Sequence, residues 1–127
     1  MIEVKEKANT LEEGIANLIK ASKEDFIQWS TRLVNLRGTE ELSEYTKSEI
    51  AKFFIEVRTG RKYIKLIRDN SVHAFIVKED SDKFKKGDIL MPSSWSKPAT
   101  NQARGNVLTG FLMEWTGPLY LNTEKFR

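Results

Sequence analysis

Arg61-Lys62-Tyr63-Ile64-Lys65-Leu66-Ile67-Arg68-Asp69-Asn70-Ser71-Val72-His73-Ala74-Phe75-Ile76-Val77 is the stretch that decides the fold. Two runs rich in β-branched and aromatic residues flank the polar triplet Asp69-Asn70-Ser71. That pattern predicts a strand over 61–68, a turn, and a return strand over 72–77, paired as an antiparallel hairpin. Period-two spacing places Lys65 on one face with Arg61 and Tyr63. It also places His73 with Phe75 and Val77, opposite Val72, Ala74 and Ile76.

Toward the C-terminus, Lys85-Lys86-Gly87-Asp88 reads as a turn and Ile89-Leu90-Met91 as a short third strand ended by Pro92. Residues 92–106 are rich in Pro, Ser and Asn and predict an ordered loop or a short helix. Val107 to Trp115 reads as a further strand or pair, and Gly117-Pro118 as a turn.

Toward the N-terminus the period changes to that of helices. Thr10-Leu11-Glu12-Glu13 is a capping box, followed by an apolar stripe of Leu11, Ile15, Leu18 and Ile19. Ser22-Lys23-Glu24-Asp25 reads as a second helix start, with Phe26, Trp29 and Leu33 on one face and Gly38 as the stop. Thr46-Lys47-Ser48-Glu49 is another capping box, opening a helix that carries Ile50, Phe53, Phe54 and Val57 and ends at Gly60. The fold class expected is α+β. Two to three N-terminal helices pack against a small C-terminal antiparallel sheet, or partly open barrel, of four to five strands. Residues 1–127 form a single domain, with a helical part over 1–60 and a strand-and-loop part over 61–127.

The 127 residues suit one domain, and the mixture of 39% hydrophobic and 31% charged residues with thirteen aromatics is globular. No cysteine is present, which excludes disulfides and sulfur-based zinc sites. No apolar run reaches the roughly 20 residues of a membrane helix, and Met1–Lys7 lacks the apolar segment of a secretory signal. A cytoplasmic protein without a membrane partner is the expectation. Charge is unevenly divided. Residues 1–57 hold eight Lys/Arg against eleven Asp/Glu, a net −3, and residues 58–127 hold thirteen against seven, a net +6. A basic half points to an acidic or nucleic-acid partner.

Catalytic and metal signals are sparse. His73 is the single histidine, with no serine or carboxylate at a triad spacing, so a structural or surface role is expected. Asp80, Asp82 and Asp88 fail the calcium-loop pattern, because Lys85 and Met91 stand where glycine and glutamate belong; a solvated turn is the expectation. Gly60-Arg61-Lys62 lacks the earlier glycine of a phosphate loop and precedes a strand. No catalytic residue, metal or cofactor is therefore expected. The basic side is different. Arg58, Arg61, Lys62, Lys65 and Arg68 crowd the first strand of the hairpin and its entry. The candidate nucleic-acid-binding residues are Arg61, Lys62, Lys65, Lys85, Lys86, Trp95, Lys97 and Arg104, cations for phosphates and an aromatic for stacking. Two readings of Trp95 stand: a pin holding the loop to the sheet, or a contact surface.

The C-terminal block is Ser71-Val72-His73-Ala74-Phe75-Ile76, then Gly87-Asp88-Ile89-Leu90-Met91-Pro92-Ser93-Ser94-Trp95-Ser96-Lys97-Pro98-Ala99, then Ala103-Arg104-Gly105-Asn106-Val107. It resembles short uncharacterised proteins of tailed-phage genomes, in which Lys-Pro-Ala-Ser-Trp-Lys-Ala-Pro-Ala leads to Arg-Gly-Asn. Met91 and Ser96 replace lysines of that pattern. The resemblance covers roughly 45 residues, implies a viral origin and a host-cell location, and brings no catalytic residue. Two functions follow as expectations. One is a phage-type accessory protein that binds nucleic acid, or a nucleic-acid enzyme, through its basic half. The other is a protein-interaction or homo-oligomeric module built on Phe26, Trp29, Phe53 and Phe54 of the helical half, with a viral or host protein as partner.

Overall fold

The structure, a computed structural model, describes residues 2–5, 7–36 and 44–118. The elements run β1 (Ile2–Val4), α1 (Leu11–Leu36), α2 (Glu44–Lys52), β2 (Glu56–Thr59), β3 (Tyr63–Arg68), β4 (Ser71–Val77), β5 (Ile89–Leu90), β6 (Gly105–Asn106), β7 (Gly110–Glu114) and β8 (Gly117–Pro118). The architecture is α+β. Eight short strands form two antiparallel sheets among the described residues, not one sheet of four or five. One has the order β2-β3-β4-β5, and the other is β1-β7-β6 with β8 also on β7. Neither closes into a barrel.

Helix α1 opens as its capping box requires. The Glu13 N–H donates to Thr10 Oγ1 at 3.1 Å, and the Glu13 carboxylate takes the Asn9 N–H at 3.3 Å. The second start at Ser22 does not occur, because α1 is continuous from Leu11 to Leu36. Its interior after Gly14 contains neither Gly nor Pro, and the Ser22 hydroxyl turns back to the Leu18 carbonyl at 3.0 Å instead of capping. The stop expected at Gly38 lies outside the described residues. Helix α2 begins at Glu44, so Thr46 is inside it and not its cap. It ends at Lys52, well before Gly60. Phe53 to Ile55 leave the helix, and Glu56–Thr59, with Val57 and Thr59 β-branched, form β2. Gly60 instead closes the β2–β3 turn, its N–H donating to the Tyr63 carbonyl at 2.8 Å.

The hairpin that decides the fold is present. Asp69 and Asn70 both have positive φ, 49° and 62°, as a two-residue hairpin turn of the primed type needs. One irregularity separates it from simple alternation. Leu66 pairs with Ala74 and Ile67 with Val72, which leaves His73 as an extra residue in β4. The bulge changes the parity of the strand. Val72 packs with Phe75 and Val77, while His73 reaches helix α1, on the side of Ala74 and Ile76. The expected placing of His73 with Phe75 and Val77 is thereby corrected.

Two expectations at the chain ends also change. β1 pairs Ile2, Glu3 and Val4 with Met113, Leu112 and Phe111, a contact across almost the whole chain. Gly117-Pro118 is strand β8, paired with Glu114 and Met113; the turn itself is Trp115-Thr116.

The main core joins α1 to both sheets. Ile15, Leu18, Ala21 and Phe26 of the helix meet Ile64, Leu66, Ala74 and Ile76 of one sheet and Phe111 and Met113 of the other. Helix α1 presses close on the turn between β6 and β7 at Gly14. A Cβ there would lie 2.5 Å from the Val107 carbonyl oxygen and 2.9 Å from its carbon. Alanine would gain about 1 kcal/mol in helix propensity and lose about 1–3 kcal/mol or more to overpacking against main chain. Gly14→Ala is expected to lower the melting temperature by several degrees. A raised melting temperature would mean the helix does not rest on that turn.

Candidate nucleic-acid interface

The sheet β2-β3-β4-β5 has two dressed faces. One faces α1. The other carries Phe75, Val77 and Leu90, with Phe84 and Ala103 laid on it from the connecting loops and Tyr63 and Val72 packed alongside. At the margin of this second face the segment 91–99 folds back on itself. The Ala99 N–H donates to the Met91 carbonyl at 2.7 Å, and the Ser93 and Ser94 N–H groups both donate to the Lys97 carbonyl, at 2.9 and 3.0 Å. Pro92 and Pro98 face each other in a bridge. Trp95 stands at the tip, 47% exposed.

Trp95 leans on the sheet without entering it. Lys65 Nζ lies 4.4 Å from its ring centroid, and the Arg58 guanidinium 6.0 Å away. Both distances permit cation–π attraction, of order 0.5–1 kcal/mol at exposed sites. Lys65 also lies over Phe75, at 5.8 Å. Arg58 and Lys65 are cross-strand partners, which is why they rise from the same face. Arg58 in turn pairs with the Glu56 carboxylate.

Beside the tryptophan is a cleft of about 280 Å³. Its cations are Arg58, Arg61, Lys62 and Lys65; Tyr63 and Phe75 form its apolar floor, and Ser96 its rim. No described carboxylate lines it. On the far side of Arg61 and Lys62 a second cleft, of about 260 Å³, is lined also by Glu79 and Asp80 and is therefore electrostatically mixed.

Of the candidate residues, Arg61, Lys62 and Lys65 line this cleft, and Trp95 stands beside it over Lys65. The others do not line this cleft. Lys85 and Lys86 lie in the turn before Asp88, where their N–H groups donate to Asp88 Oδ2 at 2.9 Å and Asp80 Oδ1 at 2.8 Å. Lys97 is exposed at the base of the tryptophan loop, contributing its carbonyl. Arg104 is half-buried beside β5, its N–H donating to the Ile89 carbonyl at 2.7 Å. Arg68 points to the helix side, as alternation from Lys65 requires, and stacks 5.1 Å from the ring centroids of both Phe53 and Trp115. Arg58, grouped in the sequence with the cations at the entry to the hairpin, joins the candidate residues here because it lies in β2 opposite Lys65. The alternation of Glu56-Val57-Arg58-Thr59 just before Gly60 was the signal for it.

The acidic residues around Asp80 do not form a solvated turn throughout. Asp88 is fully buried. Its carboxylate accepts the Lys85 N–H and, at 2.9 Å, Asn106 Nδ2, which also donates to the Lys86 carbonyl at 3.0 Å. Asn106 Oδ1 accepts the Leu108 N–H at 2.8 Å. Gly87 has a φ of 92°, and a Cβ on it would lie 2.7 Å from Asn106 Oδ1. The Gly-Asp and Gly-Asn pairs of the C-terminal block thus lock two turns together. No cluster able to hold a metal occurs among the described residues.

The bulge brings Ser22 Oγ to 3.0 Å from His73 Nε2, an encounter no sequence spacing announces. The hydroxyl gives its one proton to the Leu18 carbonyl, so it accepts from Nε2–H. Ser22 is fully buried, and a hydroxyl so held is not presented to a substrate. Burial, and secondarily the Arg68 charge, lower the His73 pKa to about 4.

The family model of DUF7717 matches residues 2–120. The chain belongs to this family of unknown function. No curated protein and no solved structure matches it. In this DUF7717 member, no helix among the described residues is long and apolar enough to cross a membrane.

Proposed function

We propose that this DUF7717 member is a non-enzymatic, phage-type accessory protein that binds single-stranded nucleic acid in the cleft beside Trp95. One observation carries the reading: an exposed tryptophan ring, braced by Lys65, borders a cleft with four cations and no described carboxylate. Phosphates are neutralised by Arg61, Lys62 and Lys65, while Arg58 is held by the Glu56 carboxylate. A base stacks on the open face of Trp95, which requires it to be out of a duplex. The C-terminal likeness to tailed-phage proteins supplies the biological setting.

Fluorescence anisotropy of a labelled oligothymidine tests this. Three neutralised phosphates on a single strand imply a log–log salt slope of about −2. Trp95→Ala is expected to weaken binding about tenfold, the lower range of base–aromatic stacking. The Lys85→Ala/Lys86→Ala pair is expected to leave it nearly unchanged. No binding at low salt would end the proposal.

A second reading, assembly through the helical half, loses two of its four residues. Phe26 and Phe53 are buried against each other, 5.2 Å apart, and Phe26 packs edge-on to Trp115 at 5.4 Å. Trp29 and Phe54 stay exposed, and Phe54 leads directly into β2.

A further inference from the structure

Strand β2 ends its sheet: β3 covers one side, and no described strand covers the other. Such an edge offers main-chain N–H and C=O groups to any strand that can pair with it. Which residues offer them follows from the ladder. The Gly60 N–H bonds to the Tyr63 carbonyl, and Arg58 and Glu56 stand opposite Lys65 and Ile67. In an antiparallel pair the bonded positions alternate. Glu56 and Arg58 therefore direct their main-chain groups to β3, while Val57 and Thr59 direct theirs outward. The Val57 side chain is exposed, and so is Phe54 just before the strand.

We infer that β2 pairs with β2 of a second copy of this chain, antiparallel, about a two-fold axis at Val57. The strand is self-complementary in that register and in no other centred within it. Val57 stands opposite the partner's Val57, with their outward N–H and C=O groups exchanged. Glu56 stands opposite the partner's Arg58, and Arg58 opposite the partner's Glu56. These are non-bonded positions of the new ladder, where side chains approach most closely and opposite charges attract best. Centring on Arg58 opposes two arginines and two inward-directed main chains. Centring on Thr59 runs the overlap into the Gly60 turn.

The pairing joins two four-stranded sheets into one of eight. A two-fold axis normal to a sheet keeps equivalent faces on the same side, so the two Trp95 clefts lie next to each other on one surface. The interface is a single strand pair, smaller than a standard interface, so it forms and dissociates with concentration.

The chain has no cysteine, so one introduced thiol reports self-contact alone. Val57→Cys is expected to yield a covalent dimer on mild oxidation, since bonded antiparallel partners lie about 5.5 Å apart at Cα, within disulfide range. Thr59→Cys is expected to remain monomeric under the same conditions. Its thiol would face the partner's Ile55, about 13 Å from its own equivalent. Sedimentation equilibrium supplies the charge test. Glu56→Arg is expected to weaken association about tenfold, and Glu56→Arg/Arg58→Glu to restore it by exchanging the two charges. Cross-linking of both cysteine variants or of neither, a wild type monomeric at its highest soluble concentration, or no recovery in the double swap would each overturn the inference. All of these measurements omit nucleic acid, so their outcome is separate from that of the oligothymidine titration.

Discussion

Replacing Asp88 with alanine is expected to lower the free energy of unfolding by about 3 kcal/mol, measured by urea denaturation near neutral pH. The carboxylate is fully buried and takes the Lys85 N–H on one oxygen and Asn106 Nδ2 on the other. Alanine removes both acceptors and leaves two donors facing a space that water does not readily fill. Hydrogen bonds to a charged group contribute about 1.5–3 kcal/mol each, and orphaned buried donors add a desolvation cost. The loss spreads because the same turn carries a main-chain lattice. Gly87 N–H bonds to the Val77 carbonyl at 2.8 Å, Val77 N–H to the Asp88 carbonyl at 2.9 Å, and Val107 N–H to the Gly87 carbonyl at 2.9 Å. Exposed Asp82→Ala is the control, expected within about 0.5 kcal/mol of wild type. A loss below about 1 kcal/mol for Asp88→Ala would show that the lock is not what holds the two turns.

The second large effect depends on pH. The His73 pKa is lowered from 6.5 to about 4, first by burial and then by Arg68. The unfolded chain therefore takes up a proton as pH falls through 6.5, and the folded chain does so only near 4. Between those values the unfolded state holds more protons, so stability must fall as pH falls across that window and level off below it. The full difference amounts to about 3 kcal/mol. Carboxylates titrate in the lower part of the same window, so the informative quantity is the difference from a variant. His73→Gln keeps a donor for Ser22 and removes the titration. Its stability is expected to be less steep between pH 7 and about 4.5 than that of the wild type. Parallel curves would mean that His73 is protonated equally in both states.

What was legible in the sequence was what short-range chemistry dictates. The cap at Thr10, the turn at Asp69-Asn70 and the alternation of Lys65 with Tyr63 each involve residues within a few positions of one another, and each is present. Errors arose where a distant partner decided. Ser22 looked like a cap because serine is a good one; its hydroxyl is instead occupied within the helix and by His73, which is 51 positions away. Val57 looked helical because Phe53, Phe54 and Val57 fall at helical spacing, while pairing with Leu66 makes it a strand residue. Three residues at the N-terminus carry almost no periodicity, so β1 could be found only through Phe111 to Met113. The face of His73 was misread for another reason: one extra residue in a strand inverts alternation on one side of it, and nothing in Ser71-Val72-His73-Ala74 marks the insertion. For the site, alternation grouped Lys65 with Tyr63, but the strand expected from Arg61 begins only at Tyr63; Arg61 and Lys62 lie in the turn before it, and both reach the one cleft. The turn at Lys85-Lys86-Gly87-Asp88 was legible, but not that Asp88 and Asp80 bind its main chain away from the cleft, since cations scattered along loops are brought together, or separated, by tertiary structure.

The loop from Met91 to Ala99 satisfies itself through its own main chain, and its tip rests on Lys65 and Arg58 beside Asn70 to Val72. Trp95 is half exposed at that tip, so its replacement is expected to change the free energy of unfolding by only about 1 kcal/mol or less. Gly87, Asp88 and Asn106 are the opposite case, each held in a turn that another of the three completes, so relatives of this chain are expected to change there last.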